Sequence, residues 1–369
     1  MGVAVMGIGI SGCFPKSDGL SYREMIARAA AMAYEDAGIA PEEIDGAVST
    51  EEDFISGYSI SDEYVPDQLG MVRKPVYTIC GDFLHGICSA VMQLKTGRFK
   101  TVVVESYSKA SNVLEKDEVL HFAYDPIFDR LGVSPHYLAG IEMQHYVQSG
   151  GATEEEVATF AALSRTKGLK NPLAPYGAKL GGDDVLSARP ISTPVTDLMV
   201  ARHSDAAVVV VLGLEEIAYE RSAKPILLSG TGWGSGSSII QRRDHSDSTG
   251  TVIAAGMAYE EAGIETPAMD ADVFYLSDLY AHRGLMHLDS LGLPREVLSE
   301  VNPDGGSLST GDLIEANGGA RFVDAVRQLR GEAGAHQVKD ASCALVHAWR
   351  GLPTDSCAVV ILENDGRTA

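Results

Sequence analysis

The opening run Val3 to Ile10 is apolar without interruption and reads as a buried strand. A helix follows, with Ser21 and Glu24 spaced as a capping box and Gly38 placed just past its end as a stop. Strand Gly46 to Thr50, strand Pro75 to Cys80, helix Phe83 to Thr96 ending at Gly97, and strand Thr101 to Glu105 continue the alternation. Between about Ser106 and Arg189 the pattern gives way to aromatic and histidine-bearing segments with a helix from Thr153 to Leu169, as expected of an inserted cap. The apolar strand Ala206 to Leu212, buried on both faces by its composition, then closes the first half. The second half reads as strand Pro225 to Ser229, loop Gly230 to Ser238, helix Val252 to Ala262, strand Ala271 to Leu276 and helix Leu279 to Leu291. A glycine turn at Gly305-Gly306, helix Ala320 to Leu329, and strands Ser342 to His347 and Ala358 to Leu362 complete it. Such alternation predicts an α/β fold whose sheet is mixed or parallel and covered by helices.

The two halves repeat one another. Met32-Ala33-Tyr34-Glu35-Asp36-Ala37-Gly38-Ile39 returns as Met257-Ala258-Tyr259-Glu260-Glu261-Ala262-Gly263-Ile264, and the register persists through Ile44-Asp45 on Met269-Asp270 and Val48 on Val273. So long an offset excludes solenoids and propellers, whose periods are far shorter, and predicts two equivalent units, 1–222 with the insertion at about 106–189, and 223–369. Each unit enters a long helix from a Gly-Asp pair, Gly81-Asp82 or Gly311-Asp312, so pseudo-two-fold symmetry would bring the two helix N-termini together. Gly7-Ile8-Gly9-Ile10-Ser11-Gly12 has the spacing of a dinucleotide fingerprint, but no helix opens at its last glycine and no acidic residue follows at the required distance. It reads as a tight strand exit.

Composition narrows the partners. A net charge of -22 argues against nucleic acid or an anionic membrane surface. Arg165, Lys167 and Lys170 form the segment best suited to offset that field for an anionic ligand, or else a solvated helix face with scattered charges. Five cysteines without CxxC pairing point to reduced thiols and a cytoplasmic setting, and no apolar run approaches a membrane span. Neither Met1 to Cys13 nor Arg367-Thr368-Ala369 reads as a targeting signal.

Cys80 ends a strand at the mouth of a helix, where free N–H groups and the helix dipole favour a thiolate and would hold the oxyanion of a thioester intermediate. The alternative is a buried structural thiol. Cys88, eight residues on, reads as core.

The helix–strand pair Ser21 to Thr50, the segment Glu142 to Pro172 with Asn171-Pro172, Ser204-Asp205-Ala206-Ala207, Val301-Asn302-Pro303-Asp304-Gly305-Gly306 and Gln328 to Gly334 resemble the thiolase superfamily, in particular its sterol-carrier-protein-type members. The resemblance spans essentially the whole chain. It implies a five-layer αβαβα architecture, a tight homodimer, coenzyme A thioester chemistry with no covalently bound cofactor and no metal, and, in archaeal and bacterial relatives, a small zinc-ribbon/OB-fold partner. It also implies that Cys80 is the nucleophile, since its spacing to Gly97 matches the family's. The family's His-Asp-Cys-Phe stands here as Ser277-Asp278-Leu279-Tyr280, its Gly-His-Pro as Gly311-Asp312-Leu313, and its final histidine is kept as His347 before an altered turn, Ala348 to Pro353.

The candidate catalytic set is therefore Cys80, His347, Asp312 and Asp278, with Asp312 acting as a base or simply capping the following helix, and with His136, His282 and His85 on segments the fold would bring near the pocket. Glu51-Glu52-Asp53 and Phe83 would shape the acyl pocket. Three functions stay open: an acyltransferase working through acyl-Cys80, with His347 and Asp312 moving protons; a catalytically silent subunit that supports a partner; and a retro-aldolase cleaving a 3-hydroxyacyl thioester, which needs a base but no cysteine and would depend on Asp278, Tyr280 or Asp312.

Overall fold

The repeated segments fold as the same supersecondary unit. The computed structural model describes residues 1–51, 61–112, 134–237 and 239–366; Glu52-Asp53 and the three C-terminal residues lie outside these. Helix α1 (Tyr22–Ala37) begins with the Ser21–Glu24 capping box and stops at Gly38 in the left-handed conformation. It packs on β1 (Val3–Ile10) and β7 (Asp205–Leu214). Its counterpart, which becomes α5 (Thr249–Ala262), ends at left-handed Gly263 and packs on β8 (Ile226–Ser235) and β11 (Ser356–Glu363).

Gly7 and Gly9 are not a strand exit. They lie within β1, where a side chain at Gly7 would meet the carbonyl oxygen of Ala33 at 2.2 Å and one at Gly9 that of Ala29 at 2.0 Å. Gly230 and Gly232 stand against Ala258 and Ala254 of α5 in the same way, at 2.3 and 2.0 Å. The glycines that read as a loop after Ser229 are thus close-approach positions inside a strand that runs to Ser235. Because the obstacle is backbone, Gly9→Ala is expected to destabilise by about 1–3 kcal/mol. Gly256→Ala, on the open face of α5 with no atom within 4 Å, should be neutral or slightly stabilising; urea unfolding of the two variants checks this.

Nine strands form one mixed sheet in the order β3-β2-β4-β7-β1-β8-β11-β10-β9, where β2 is Gly46–Thr50, β3 Val76–Ile79, β4 Thr101–Lys109, β9 Val273–Tyr275 and β10 Cys343–Trp349. Strand pairs β2/β3, β2/β4 and β9/β10 are parallel, and a short antiparallel β1–β8 pairing joins the halves. Helices α2 (Phe83–Lys95) and α8 (Asn317–Arg330) touch each other and strands of both halves, and their apolar faces share one buried core. A second core lies under α1 and a third joins α5 to the insertion.

Helix α8 starts three residues before the expected Ala320, because Gly318 and Gly319 are contact positions: side chains there would meet Asp82 at 2.0 Å and Phe83 at 2.9 Å. The described part of the insertion supplies α3 (Pro135–Gln148), α4 (Glu154–Gly168) and a small ribbon, β5 (Pro190–Ser192) with β6 (Val195–Thr196). Among the described residues, no helix is long and apolar enough to cross a membrane.

Candidate active site

Cys80 stands between β3 and α2 and is exposed, whereas the other four cysteines are buried. Burial pushes the thiols of Cys13, Cys88, Cys343 and Cys357 up to about 12, so none of these forms a thiolate at neutral pH. The reading of Cys88 as core agrees with this.

One N–H at the mouth of α2 and one at the mouth of α8 are taken by the same carboxylate. Asp82 is the N-cap: its Oδ1 accepts from Leu84 N at 3.0 Å, and its Oδ2 accepts from Gly318 N, in the first turn of α8, at 2.9 Å. The two half-chain helices therefore do meet N-terminus to N-terminus, but the junction already holds a carboxylate. Burial raises Asp82 to about 6, against the pull of the Arg321 guanidinium. An oxyanion bound there would have to displace it. Cap preference alone made Asp82 legible as a helix start, and nothing in the local sequence told that its second oxygen reaches across 236 residues.

Asp278 lies in the loop that follows β9, wholly buried, where Oδ1 accepts from Ser307 N at 2.6 Å at the start of the short helix α7 (Gly306–Thr310). Gly306, at φ 61, must be glycine, since a side chain would strike Asp278 Oδ2 at 2.2 Å. Burial raises Asp278 to about 6, again opposed by Arg321, whose Nη1 donates to Ser307 Oγ at 2.8 Å. The nearest sequence signal for Arg321, an arginine shortly after two glycines, carries no functional meaning.

His347 is held by the backbone of Ser277, the residue before Asp278. The Ser277 N–H donates to His347 Nδ1 at 3.3 Å, which leaves the proton on Nε2 to face Thr251 Oγ1 at 3.1 Å. Thr251 in turn contacts Cys357 Sγ, and the His287 ring lies 4.5 Å away. Burial, with Arg321 and Arg283 adding to it, holds His347 well below the usual histidine range. The ring is uncharged and both nitrogens are engaged inside the protein.

Asp312 caps the turn into α8: Oδ1 accepts from Ile314 N at 3.0 Å and from Asn317 Nδ2 at 2.8 Å, and Oδ2 lies 3.8 Å from His203 Nδ1. Of the two roles left open for it, the capping geometry is present. Asp312 is also near enough for its charge to raise Asp82.

Tyr280 and His136 make a contact that spacing alone did not fix. Tyr280, only 7% exposed, precedes α6 (Ala281–Ser290), and its hydroxyl lies 3.1 Å from Nδ1 of His136, in the first turn of α3 and half-buried. His282 lies beneath, ring centroids 5.8 Å apart. His85 lies between Asp82 and Ser356, its Nδ1 3.3 Å from the Asp82 carbonyl and its Nε2 3.1 Å from Ser356 Oγ, near enough for its charge to act on His347.

The basic segment does not form an exposed anion site. Arg165 is buried and donates to the carbonyls of Tyr176, Leu198 and Val200, and Lys167 donates to those of Leu298 and Val301, with burial bringing its amine down to about 8. Arg165 thus braces the first half internally, and Lys167 ties the insertion to the second half. Only Lys170 faces outward.

Residues 299–364 match the family described as thiolase C-terminal domain-like. The chain is 26% identical over 352 residues to the acetyl-CoA acetyltransferase of Methanothermobacter thermautotrophicus, covering 89% of this chain and 91% of that one. It is 25% identical over 382 residues to the steroid side-chain-cleaving aldolase of Thermomonospora curvata, covering 95% and 96%. Among solved structures, the Ltp2-ChsH2(DUF35) aldolase superposes with a TM-score of 0.83 at 22% identity, covering 100% of this chain and 99% of that one.

Proposed function

Because the chain belongs to the thiolase superfamily, among its sterol-carrier-protein-type members, we propose that it acts on acyl coenzyme A thioesters as a carbon–carbon lyase, cleaving a 3-hydroxyacyl thioester by retro-aldol chemistry. The observation that carries this reading is the Tyr280–His136 pair. Tyr280 takes the proton of the substrate 3-hydroxyl as its own passes to His136 Nδ1. The C2–C3 bond breaks, its electron pair forms the thioester enolate, and a ketone or aldehyde leaves. The proton returns from the pair to C2, so that acyl coenzyme A is released and no net proton is consumed.

Three features weigh in the same direction. His347 is sealed and uncharged, the Asp312 oxygen facing the turn is a cap, and Asp82 occupies one N–H from each helix at the junction. Relatives named for thiolytic and for aldol chemistry both align along almost the full chain, so the choice between them rests on the site.

The second reading is acyl transfer through Cys80, favoured by the exposure of that one thiol. A five-layer αβαβα stacking, a homodimer and a DUF35-type partner complete the proposal, the last by analogy with the solved Ltp2-ChsH2(DUF35) aldolase; coenzyme A enters as substrate.

The experiment is cleavage of a 3-hydroxyacyl coenzyme A panel by the wild type and by Cys80→Ala, alone and with a DUF35-type chain, reading carbonyl product and free acyl thioester. Retained turnover in Cys80→Ala is expected. Loss of turnover there, with an acyl adduct on the wild type by intact mass, would establish the acyl-cysteine route instead. No turnover in any combination would leave the silent-subunit alternative.

A further inference from the structure

We propose that the outer face of α5 is an interface between two copies of this chain, in which the two α5 helices cross antiparallel about a two-fold axis between Ala254 and Ala255. The inference stands apart from the lyase reading, since none of the residues on this face belongs to the site of that reaction.

The internal repeat supplies the comparison. Helices α1 and α5 are the same element of the two halves, and the outward positions of α1 are Glu24, Ala27, Arg28, Ala31, Met32 and Glu35, a face with charges at its centre and both ends. In register with these, α5 exposes Thr249, Val252, Ile253, Gly256, Met257 and Glu260. Val252 is 48% exposed, Ile253 44% and Met257 39%, so a branched apolar side chain stands in the second half where the first has Arg28. Large apolar side chains gathered on adjacent turns of one helix face mark a contact surface.

The face is complementary to itself. A side chain at Gly256 would meet no atom within 4 Å, so the helix surface is notched there. An axis between Ala254 and Ala255 seats Ile253 of each copy in the notch at Gly256 of the other and lays Val252 against Met257, ridge into groove. The same rotation brings the exposed Glu260 of one copy to Thr249 of the other, the first residue of α5, where the positive end of the helix dipole lies. Applied to α1, it would set Arg28 on Ala31 and Glu35 against Glu24, a like-charge pair, so only one of the two repeated helices suits the pairing.

The knobs are also fixed in advance. A side chain at Gly234 would lie 2.7 Å from Cβ of Ile253, and one at Gly232 would lie 2.9 Å from Cβ of Met257, so α5 sits tight on β8 and little freedom is left to lose on association. A different protein would impose no symmetry on this face. A second copy does, because an isologous contact requires each residue to find its mate at an equal distance across the axis.

The test is sedimentation equilibrium of the full chain over a wide range of protein concentration, in about 0.15 M salt to screen the repulsion between two acidic copies. The wild type is expected to form particles holding twice as many copies as Ile253→Arg, with the dissociation constant of that step raised about 100-fold in the variant. Gly256→Ile fills the notch and should weaken association as much. Combined with Ile253→Gly, it exchanges knob and notch on each copy, so the double variant should return to within about tenfold of the wild type. Both positions face solvent, so the variants keep the fold. Equal particle mass for the wild type and Ile253→Arg at every concentration would overturn the proposal and leave the face to a different protein, and a double variant no better than Gly256→Ile would overturn the two-fold register.

Discussion

Tyr280→Phe is expected to lower kcat for thioester cleavage by about 100- to 1,000-fold, the usual range for removing a positioned proton-transfer group, with KM changed little. The substitution deletes one oxygen and keeps the ring, so the packing against His282 survives and the fold should hold. His136→Phe removes the partner that receives the proton and should cost a comparable factor. If the two residues act as one relay, the double variant will be scarcely worse than either single one, whereas independent roles would multiply. Steady-state kinetics on the four proteins decides this. Full activity in Tyr280→Phe would end the retro-aldol assignment, whatever Cys80→Ala does.

Much of the scaffold was legible because the responsible signals are local. Ser21, Glu24 and Gly38 marked α1 by cap chemistry that acts within a few residues, and the repeat Met32 to Ile39 on Met257 to Ile264 marked the like ends of α1 and α5, each stopped by a left-handed glycine. Glycine was the residue most often misread. At Gly9, Gly232 and Gly318 its small size serves approach by a distant helix or carboxylate, which only the assembled fold reveals, and the same residue type elsewhere marks real turns such as Gly38 and Gly263.

The site followed the same rule. What Asp278, His347 and Asp312 touch is set by partners 29, 70 and 109 positions away or by their own caps. Asp82 reads as the entry to a helix, and the reach of its second oxygen to Gly318 comes only with the assembled fold. A helix start is visible in one segment of sequence, while the convergence of two helix starts is not.

The contact that holds Tyr280 to His136 is itself anchored by an ion pair between the same two helices, and breaking that pair should give the largest loss of stability available from one side chain. Glu142 of α3 and Arg283 of α6 are both buried, and the guanidinium grips the carboxylate through two hydrogen bonds, Nε to Oε2 at 2.9 Å and Nη2 to Oε1. Arg283 also lies 4.4 Å over the Trp349 ring and 3.8 Å from Asp355. Although burial works against the charge of Glu142, Arg283 and His282 outweigh it and hold the carboxyl down at about 2. A carboxyl depressed on folding adds stability that is complete above its unfolded value near 4.5 and is lost as pH falls from there toward 2, so acid unfolding should begin in that window.

Arg283→Met leaves the Glu142 charge buried and unpaired and should cost about 3–5 kcal/mol in urea unfolding at pH 7. Glu142→Leu strands the guanidinium and should cost as much. Joined in one protein, the two substitutions replace a buried pair by hydrocarbon of similar volume and should recover most of the loss, because the penalty belongs to the unpaired charge and not to the missing attraction. The double variant then separates stability from catalysis. A protein that folds well but has lost the fixed angle between α3 and α6 should retain thioester binding and show reduced kcat, because Tyr280 and His136 are carried by those helices; a double variant as unstable as either single one would show that the geometry of the pair, rather than its charge balance, holds the insertion in place.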